Sequence, residues 1–130
     1  MYKVILISGD RNWNQLTLFR AAMDKWVAKH GMPEIIIEGC ARGADSFAEQ
    51  WALENGVLLR HFPAQWNTLG RSAGPLRNIQ MLKEGQPEAI IAFHHNLAQS
   101  KGTAHMVRIA RAVGTPVWVP FAQPQQNLGL

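Results

Sequence analysis

Residues 2–8 read Tyr-Lys-Val-Ile-Leu-Ile-Ser, and residues 9–13 read Gly-Asp-Arg-Asn-Trp. An apolar run of this length that ends in a glycine and polar side chains is typical of a buried strand followed by a turn. Further apolar runs predict strands at residues 34–38, 57–62, 89–93 and 116–119. The chain therefore begins with the first strand of a predicted parallel sheet.

Amphipathic stretches separate these strands. Apolar residues at helical spacing predict a helix after each of the first two strands, and each of these helices is closed by a glycine. A third helix is expected from Pro75 to about Glu84, and a fourth should open at Thr103, a good N-cap residue. The strict alternation of strands and helices indicates an α/β fold whose parallel sheet is covered on both faces.

The overall composition describes a modestly basic chain. It has 130 residues, a net charge of +4 and one cysteine. This length predicts one domain, residues 1–120, followed by a tail rich in Gln, Pro and Asn at residues 121–130. Without a disulfide partner or an apolar run of membrane-spanning length, the chain is expected to be cytoplasmic, with no membrane partner.

Glycines and polar residues gather where strands end. In a parallel sheet, ligands bind outside the carboxyl ends of the strands. Polar or glycine-containing stretches follow the first four strands at residues 8–13, 39–45, 63–66 with 71–78, and 101–103. Glycine allows close backbone approach to a ligand, and helix N-termini offer free amides to phosphate. Each turn alone is better explained by tight turn geometry, and the chain carries no P-loop.

Four arginines belong to these turns: Arg11, Arg42, Arg71 and Arg77. Each alone is equally explained as a solvated surface residue. Like charges brought together repel each other unless an anion or a carboxylate lies between them, and arginine binds phosphate in a bidentate fork. Arg77 is also expected in the first turn of the third helix, where the helix dipole is already positive. The group predicts a site for an anionic, phosphorylated small molecule.

Two acids and several aromatic residues accompany the arginines. Asp10 and Asp45 are the candidate catalytic residues. Asp45 either caps the second helix, pairs with an arginine or accepts a hydrogen bond from a ribose hydroxyl. Trp13 and Trp66 either stack on a base or pack in the core, whereas Phe93 is assigned to the core.

Neither a metal nor a cofactor is expected. Cys40 lies near a helix N-terminus, which lowers the pKa of a thiol, but no histidine stands beside it in the sequence. His94 and His95 are adjacent, so their side chains point apart in an extended chain. The scattered acids add no ligand spacing typical of a metal site.

Taken in order, these motifs resemble those of the YspA-type, cpYpsA-related branch of the SLOG superfamily. The similar stretches are residues 8–13, 39–45, 63–66, 73–78 with Met81, and Gly102 with Thr103. The resemblance covers about residues 3–119. It implies a three-layer α/β/α Rossmann-like domain with a mostly parallel five-stranded sheet, of a kind found in bacteria and phages. The superfamily is thought to bind nucleotides or derivatives related to NAD or ADP-ribose.

The resemblance also implies which residues bind the ligand. Arg77, Asn78 and the turn of Gly102 and Thr103 would hold phosphate, and Trp66 would cover the base. The rest of the site would be lined by Gly9, Arg11, Gly39, Arg42, Gly43, Asp45 and Gly74.

One position departs from an enzymatic branch of the superfamily. The lonely-guy phosphoribohydrolases cleave the N-glycosidic bond of nucleoside monophosphates and carry the motif Pro-Gly-Gly-x-Gly-Thr-x-x-Glu. In this chain the glutamate position is Met106, which cannot transfer a proton. The sequence therefore predicts binding of a phosphorylated nucleotide derivative by a sensor or sequestering protein.

Two alternatives remain open. The first is an N-glycosidic hydrolase of nucleotides in which Asp10, Asp45 or Glu38 replaces the missing acid. The second, by analogy with the DNA-processing protein DprA, is a module that binds single-stranded nucleic acid with the help of Arg108 and Arg111. The mild charge excess favours the small ligand over nucleic acid. Relatives also suggest a homodimer, by analogy alone.

Overall fold

The structure is a computed structural model in which residues 2–121 are described. Five strands form one sheet: β1 (Val4–Gly9), β2 (Ile35–Glu38), β3 (Leu58–His61), β4 (Ala89–Phe93) and β5 (Val117–Trp118). The strand order is β3-β2-β1-β4-β5, and every pairing is parallel. The predicted α/β fold with three layers is therefore confirmed, and its sheet is parallel throughout.

Five α-helices connect the strands: α1 (Leu16–His30), α2 (Ala44–Asn55), α3 (Trp66–Leu69), α4 (Ala73–Gly85) and α5 (Gly102–Ala112). Two short 3-10 turns, Gly70–Ser72 and Leu97–Gln99, precede α4 and α5. No helix of residues 2–121 combines the length and the apolar character needed to cross a bilayer.

The two faces of the sheet bury separate cores because side chains alternate along a strand. Ile5 and Ile7 of β1 pack on one face in the core that Phe19 of α1 and Trp51 of α2 complete. Leu6 points to the other face, in the core that also contains Met81 of α4 and Met106 of α5. Trp26 and Trp51 also belong to the first core.

The connection from β3 to α4 is helical along much of its length. A short helix, a 3-10 turn and α4 follow one another without a break. Helix α4 begins at Ala73 rather than Pro75, because proline is tolerated anywhere in a first turn whose amides need no helical partner. Arg77 therefore lies in the second turn, and the predicted conflict with the helix dipole in the first turn is wrong.

The start of α5 also differs from the prediction. The helix begins at Gly102, and Thr103 is buried within its first turn instead of capping it. The hydroxyl of Ser100 accepts hydrogen bonds from the amides of Thr103 and Ala104, at 3.1 and 3.2 Å. Lys101 is the N-cap residue, and the hydroxyl of Ser100 just before it satisfies these two free amides of the first turn, so the helix starts before Thr103.

The predicted tail is mostly outside the described residues. Only Phe121 of residues 121–130 is described, and its ring lies 6.0 Å from the ring of Trp13. This residue packs against the core of the domain.

Gly9, the last residue of β1, allows the close approach that shapes this end of the sheet. A Cβ atom at this position would lie 2.7 Å from both the Cβ of Ala44 and the carbonyl oxygen of Phe93. The absence of a side chain thus lets the start of α2 and the end of β4 converge on β1.

Replacing Gly9 by alanine should therefore destabilise the fold. We expect Gly9→Ala to lower the free energy of unfolding by about 1–3 kcal/mol, as overpacking of a tight site does. Urea denaturation would measure it. Gly102→Ala is the matched control, because a Cβ at Gly102 has nothing within 4 Å. The free energy of unfolding of this variant should differ from that of the unmodified chain by no more than about 0.5 kcal/mol. Equal urea midpoints for Gly9→Ala and the unmodified chain would contradict the tight approach.

Candidate functional site at the carboxyl end of the sheet

A cavity of about 360 Å³, here called the central cavity, opens at the carboxyl ends of β1 and β4. The strand order reverses between these strands, since the chain continues from β1 to β2 on one side while β4 pairs on the other. Its polar lining includes Ser8, Gly9, Asp10, Arg11, Asp45, Arg77, Asn78, His94, Ser100, Lys101, Gly102 and Thr103.

Two further spaces adjoin the central cavity, because Arg11 and Arg77 line all three. The first, the loop hollow, measures about 260 Å³ and is lined by the loop after β2 and by Trp66. The second, the outer cleft, measures about 610 Å³ and lies between the starts of α4 and α5. Together they extend the central cavity along the sheet edge.

The residues predicted to bind ligand distribute over these three spaces. Seven line the central cavity: Gly9, Arg11, Asp45, Arg77, Asn78, Gly102 and Thr103. Gly39, Arg42 and Trp66 line the loop hollow, and Gly74 lines the outer cleft. Gly43 lines none of them. Its φ of 72° and the proximity of the Arg11 carbonyl oxygen, 2.6 Å from a Cβ built there, give it a role in the turn itself.

The four predicted arginines meet around this site without neutralising partners. Arg11, Arg42, Arg71 and Arg77 each line at least one of the three spaces. Within residues 2–121, no carboxylate lies within 4.0 Å of their guanidinium nitrogens. Lys101 adds a further cation to the central cavity. This arrangement gives the site a positive potential that favours an anion.

Arg77 is held in place by the protein rather than left mobile. Its Nη1 donates to the carbonyl oxygen of Gly39 at 2.6 Å, and its Nε donates to Oδ1 of Asn78 at 3.1 Å. Burial lowers the pKa of this guanidinium, although an arginine stays charged in proteins. A Cβ at Gly39 would lie 2.7 Å from the Cζ of Arg77, so this glycine makes room for the side chain.

Asn78 joins the two helices that flank the cavity. Its side chain is buried, and its Nδ2 donates to the carbonyl oxygen of Gly102 at 3.2 Å and lies 3.1 Å from Nδ1 of His105. Burial lowers the pKa of His105, which favours the neutral ring and leaves Nδ1 able to accept this hydrogen bond. Asn78 thus ties α4 to α5 and orients Arg77, in addition to lining the cavity.

Asp45 is a buried acid in which one carboxyl oxygen accepts hydrogen bonds and the other does not. Its Oδ2 accepts hydrogen bonds from the amides of Gly39 and Ala41, both at 3.2 Å. Its Oδ1 is buried and has no hydrogen-bond partner among residues 2–121. The side chain does not cap α2, and no arginine nitrogen lies within 4.0 Å of it, so two of its three predicted roles are wrong. Asp45 lines the central cavity.

The environment of Asp45 favours its protonated form. Burial, followed by the negative charge of Glu38, raises the pKa of Asp45 to about 7. The charge of Arg77 and the two amide hydrogen bonds act in the opposite direction but do not offset the burial.

Asp10 faces a histidine that the sequence did not single out as a site residue. Nδ1 of His94 accepts a hydrogen bond from the amide of Asn96 at 2.9 Å, so the neutral ring carries its proton on Nε2. That nitrogen lies 3.9 Å from Oδ2 of Asp10, and both side chains line the central cavity. The position of His94 directly after β4 was the available signal, since parallel strands present ligands at this end.

Of the aromatic residues considered for base stacking, Trp13 is buried in the core and Trp66 is exposed at the site. Trp13 is buried, and its ring stacks on His95 at 4.6 Å and contacts Phe93, so it is a core residue and not a platform for a base. His95 therefore points away from the cavity that His94 lines, in agreement with the prediction for adjacent histidines. Trp66 is 51% exposed and lines both the loop hollow and the outer cleft.

Two further predictions can be compared with the structure. The expected depression of the Cys40 pKa is wrong, because burial and the negative charge of Glu38 raise the pKa of this thiol to about 12. Met106 is fully buried in the second core, so the position of the lonely-guy glutamate does not line the central cavity. Arg108 and Arg111 line a separate surface depression beside α5.

The raised pKa of Asp45 predicts how stability depends on pH. The usual carboxyl pKa is 3.8 and the folded value about 7, so between these limits the folded chain keeps a proton that the unfolded chain loses. Stability should fall as pH rises through this range, by at most about 1.4 kcal/mol per pH unit. Asp45→Asn should remove this contribution in urea denaturation at several pH values.

Asp24→Asn, at an exposed position of α1, is the control and should leave the pH dependence unchanged. Parallel stability profiles for Asp45→Asn and the unmodified chain would show that Asp45 does not titrate near pH 7.

Comparison with known proteins identifies the family. A family model described as "YspA, cpYpsA-related SLOG family" matches residues 3–68. The Gene 61 protein of Mycobacterium phage D29 is 35% identical over 118 residues, covering 87% of this chain and 92% of that protein. The search of solved structures found no match. The chain belongs to the YspA, cpYpsA-related SLOG family.

Proposed function

We propose that the protein binds a phosphorylated nucleotide derivative in the central cavity, as a sensor or a sequestering protein. Membership of the SLOG family suggests nucleotide-related binding or processing. The observation that carries the finer proposal is the combination of four arginines without carboxylate partners around the three adjoining spaces, two of them in the central cavity, with Asp45 in the same cavity. Oδ1 of Asp45 is buried and has no hydrogen-bond partner among residues 2–121.

The phosphate would lie among Arg11, Arg77 and Lys101. All three side chains line the central cavity, and Arg77 is already oriented by Gly39 and Asn78. Because the Arg77 side chain is already oriented before binding, it loses less conformational entropy when it binds an anion. Hydrogen bonds between a guanidinium and phosphate are also among the strongest that a protein makes.

A ribose hydroxyl would find a partner in Asp45, which lines the same cavity. Oδ1 of Asp45 is buried and has no hydrogen-bond partner in the described part of the chain, and a buried polar group left unpaired is costly. A ribose hydroxyl that donates to this oxygen would remove that cost. This is the one predicted role of Asp45 that its other contacts leave open.

The size of the site suits more than a single phosphate. The central cavity of about 360 Å³ falls within the range of small-molecule sites, and the outer cleft continues it past Arg11 and Arg77. A nucleoside monophosphate would fill the first space, and the second half of an ADP-ribose or NAD-like molecule would reach the second. Half-exposed Trp66, in the wall of the outer cleft, would cover a base there.

Binding measurements with matched arginine variants would test this proposal. We expect AMP, ADP-ribose or NAD to bind in calorimetry, and adenosine to bind more weakly because it lacks phosphate. Arg11→Gln should lower the affinity for the phosphorylated ligands by about 10–100-fold, which corresponds to the loss of one charged hydrogen bond. Arg108→Gln removes the same charge from the separate depression on α5 and should change affinity by less than about threefold. Absence of binding throughout the panel, or equal effects of the two variants, would contradict the proposal.

An N-glycosidic hydrolase remains the second candidate, favoured by one observation. Asp10, Asp45 and His94 line the same cavity, so two carboxyl groups and an imidazole surround any ligand there. The protonated fraction of Asp45 near pH 7 could donate a proton to a leaving base, while Asp10 would act on water or on the ribose. Glu38 does not line the central cavity and has no part in this candidate.

A test for a released base separates the two functions. If the protein only binds, incubation with AMP, NAD or ADP-ribose should release no free base or nicotinamide in chromatographic analysis. Asp10→Asn should then leave the chromatograms unchanged. Turnover by the unmodified protein that falls at least about 100-fold in Asp10→Asn would favour the hydrolase, since general acid–base groups contribute at least this much.

A further inference from the structure

Four potential metal ligands converge beside the loop hollow. They are Glu38 at the end of β2, Cys40 in the loop that follows, Glu49 on α2 and His61 at the end of β3. One ligand atom from each side chain lies within 4.8 Å of the others. The cluster is outside the central cavity, and the proposed nucleotide binding assigns it no task.

We propose that Glu38, Cys40, Glu49 and His61 form a binding site for a divalent zinc-type cation. A thiolate, an imidazole nitrogen and carboxylate oxygens are the donors that Zn²⁺ binds in proteins, and it prefers four of them. Four protein donors leave no coordination position open for water or substrate, as in a structural rather than a catalytic site.

The orientation of the side chains supports a shared metal rather than a catalytic triad. In a triad, the imidazole uses its two nitrogens in opposite directions, one toward the nucleophile and one toward the acid. Here the same nitrogen, Nδ1 of His61, contacts Glu38 and lies 3.9 Å from Oε2 of Glu49. Sγ of Cys40 points to Oε1 of Glu38 at 3.4 Å. The donor atoms therefore face one another, with no path from thiol through imidazole to acid.

Glu38 is organised as a metal ligand would be. Its Oε2 accepts a hydrogen bond from the amide of Cys40 at 2.7 Å, which fixes the carboxylate and leaves Oε1 toward the other donors. Such supporting hydrogen bonds orient the ligands of metal sites. Glu38 is fully buried, whereas the side chains of Glu49 and His61 are 37% and 45% exposed, so an ion can enter from solvent.

The negative charges of Glu38 and Glu49 also favour a bound cation. Two carboxylates and a thiol lie together. Arg77 interacts electrostatically with Glu38 and Cys40, but its Nη1 donates to the carbonyl oxygen of Gly39. Like charges at this distance repel one another, and a divalent ion would offset that repulsion. A bound ion would also tie β2, α2 and β3 to the loop that holds Arg77 and Asp45.

Cobalt substitution would test the site, because Co²⁺ bound to a thiolate gives a charge-transfer absorption in the near ultraviolet. Cys40 is the single cysteine of the chain, so such a band can arise only there. We expect the unmodified protein to show this band together with tetrahedral d–d bands, and Zn²⁺ to displace Co²⁺. Cys40→Ser should abolish the charge-transfer band.

Two exposed positions provide variants that keep the fold. His61→Ala and Glu49→Gln should each weaken Co²⁺ binding by at least about 100-fold, the upper end of what a lost supporting contact causes. Glu54→Gln, on an exposed site of the same helix, is the control and should bind like the unmodified protein. Absence of the charge-transfer band, or Co²⁺ affinity that His61→Ala and Glu49→Gln leave unchanged, would overturn the proposal. The measurement needs no nucleotide, so its result tests the metal site independently of nucleotide binding.

Discussion

The pairing of β1 with β2 on one side and β4 on the other is the constraint on which the rest of the structure depends. It sends α1 and α2 to one face of the sheet and α4 and α5 to the other. The loops after β1 and β4 must therefore diverge, and a cavity opens between them. Charged residues that are far apart in the chain meet there without any local signal that they are neighbours.

Within that cavity, opposite charges are close but not paired. Arg77 lowers and burial raises the pKa of Asp45, yet no carboxylate oxygen comes within 4.0 Å of the guanidinium. Each group is instead fixed by the backbone around Gly39, whose carbonyl oxygen accepts from Arg77 and whose amide donates to Asp45. The backbone thus keeps a cation and an acid apart, and both remain able to contact a third molecule.

The sequence predicted the architecture well because apolar runs and helical spacing are local properties. Strand β4 has the predicted bounds, and each other strand lies within its predicted run or differs from it by a residue or two. Helix starts were less accurate, since Pro75 and Thr103 suit several positions of a first turn and only the surrounding packing selects one. Ser100 could cap α5 only because the preceding 3-10 turn brings its hydroxyl to the amides.

The candidate site shows where local patterns stop being informative. Arg11 and Arg77 were singled out because each stands in a turn at the end of a strand, which is a local feature. The contacts of His94 with Asp10 and of His61 with Glu38 depend on strand order and register, which join residues distant in sequence. The same reason explains Cys40, whose thiol was expected near a helix dipole and lies instead among acids.

The contact of Gly39 with Arg77 has a consequence for how this chain can diverge. Any side chain at position 39 would collide with the Arg77 guanidinium and break its hydrogen bond to the carbonyl oxygen of residue 39. Positions 39 and 77 are therefore not free to drift separately. Among descendants of this sequence, a bulkier residue at the first should appear only together with a shorter one at the second, as a linked pair.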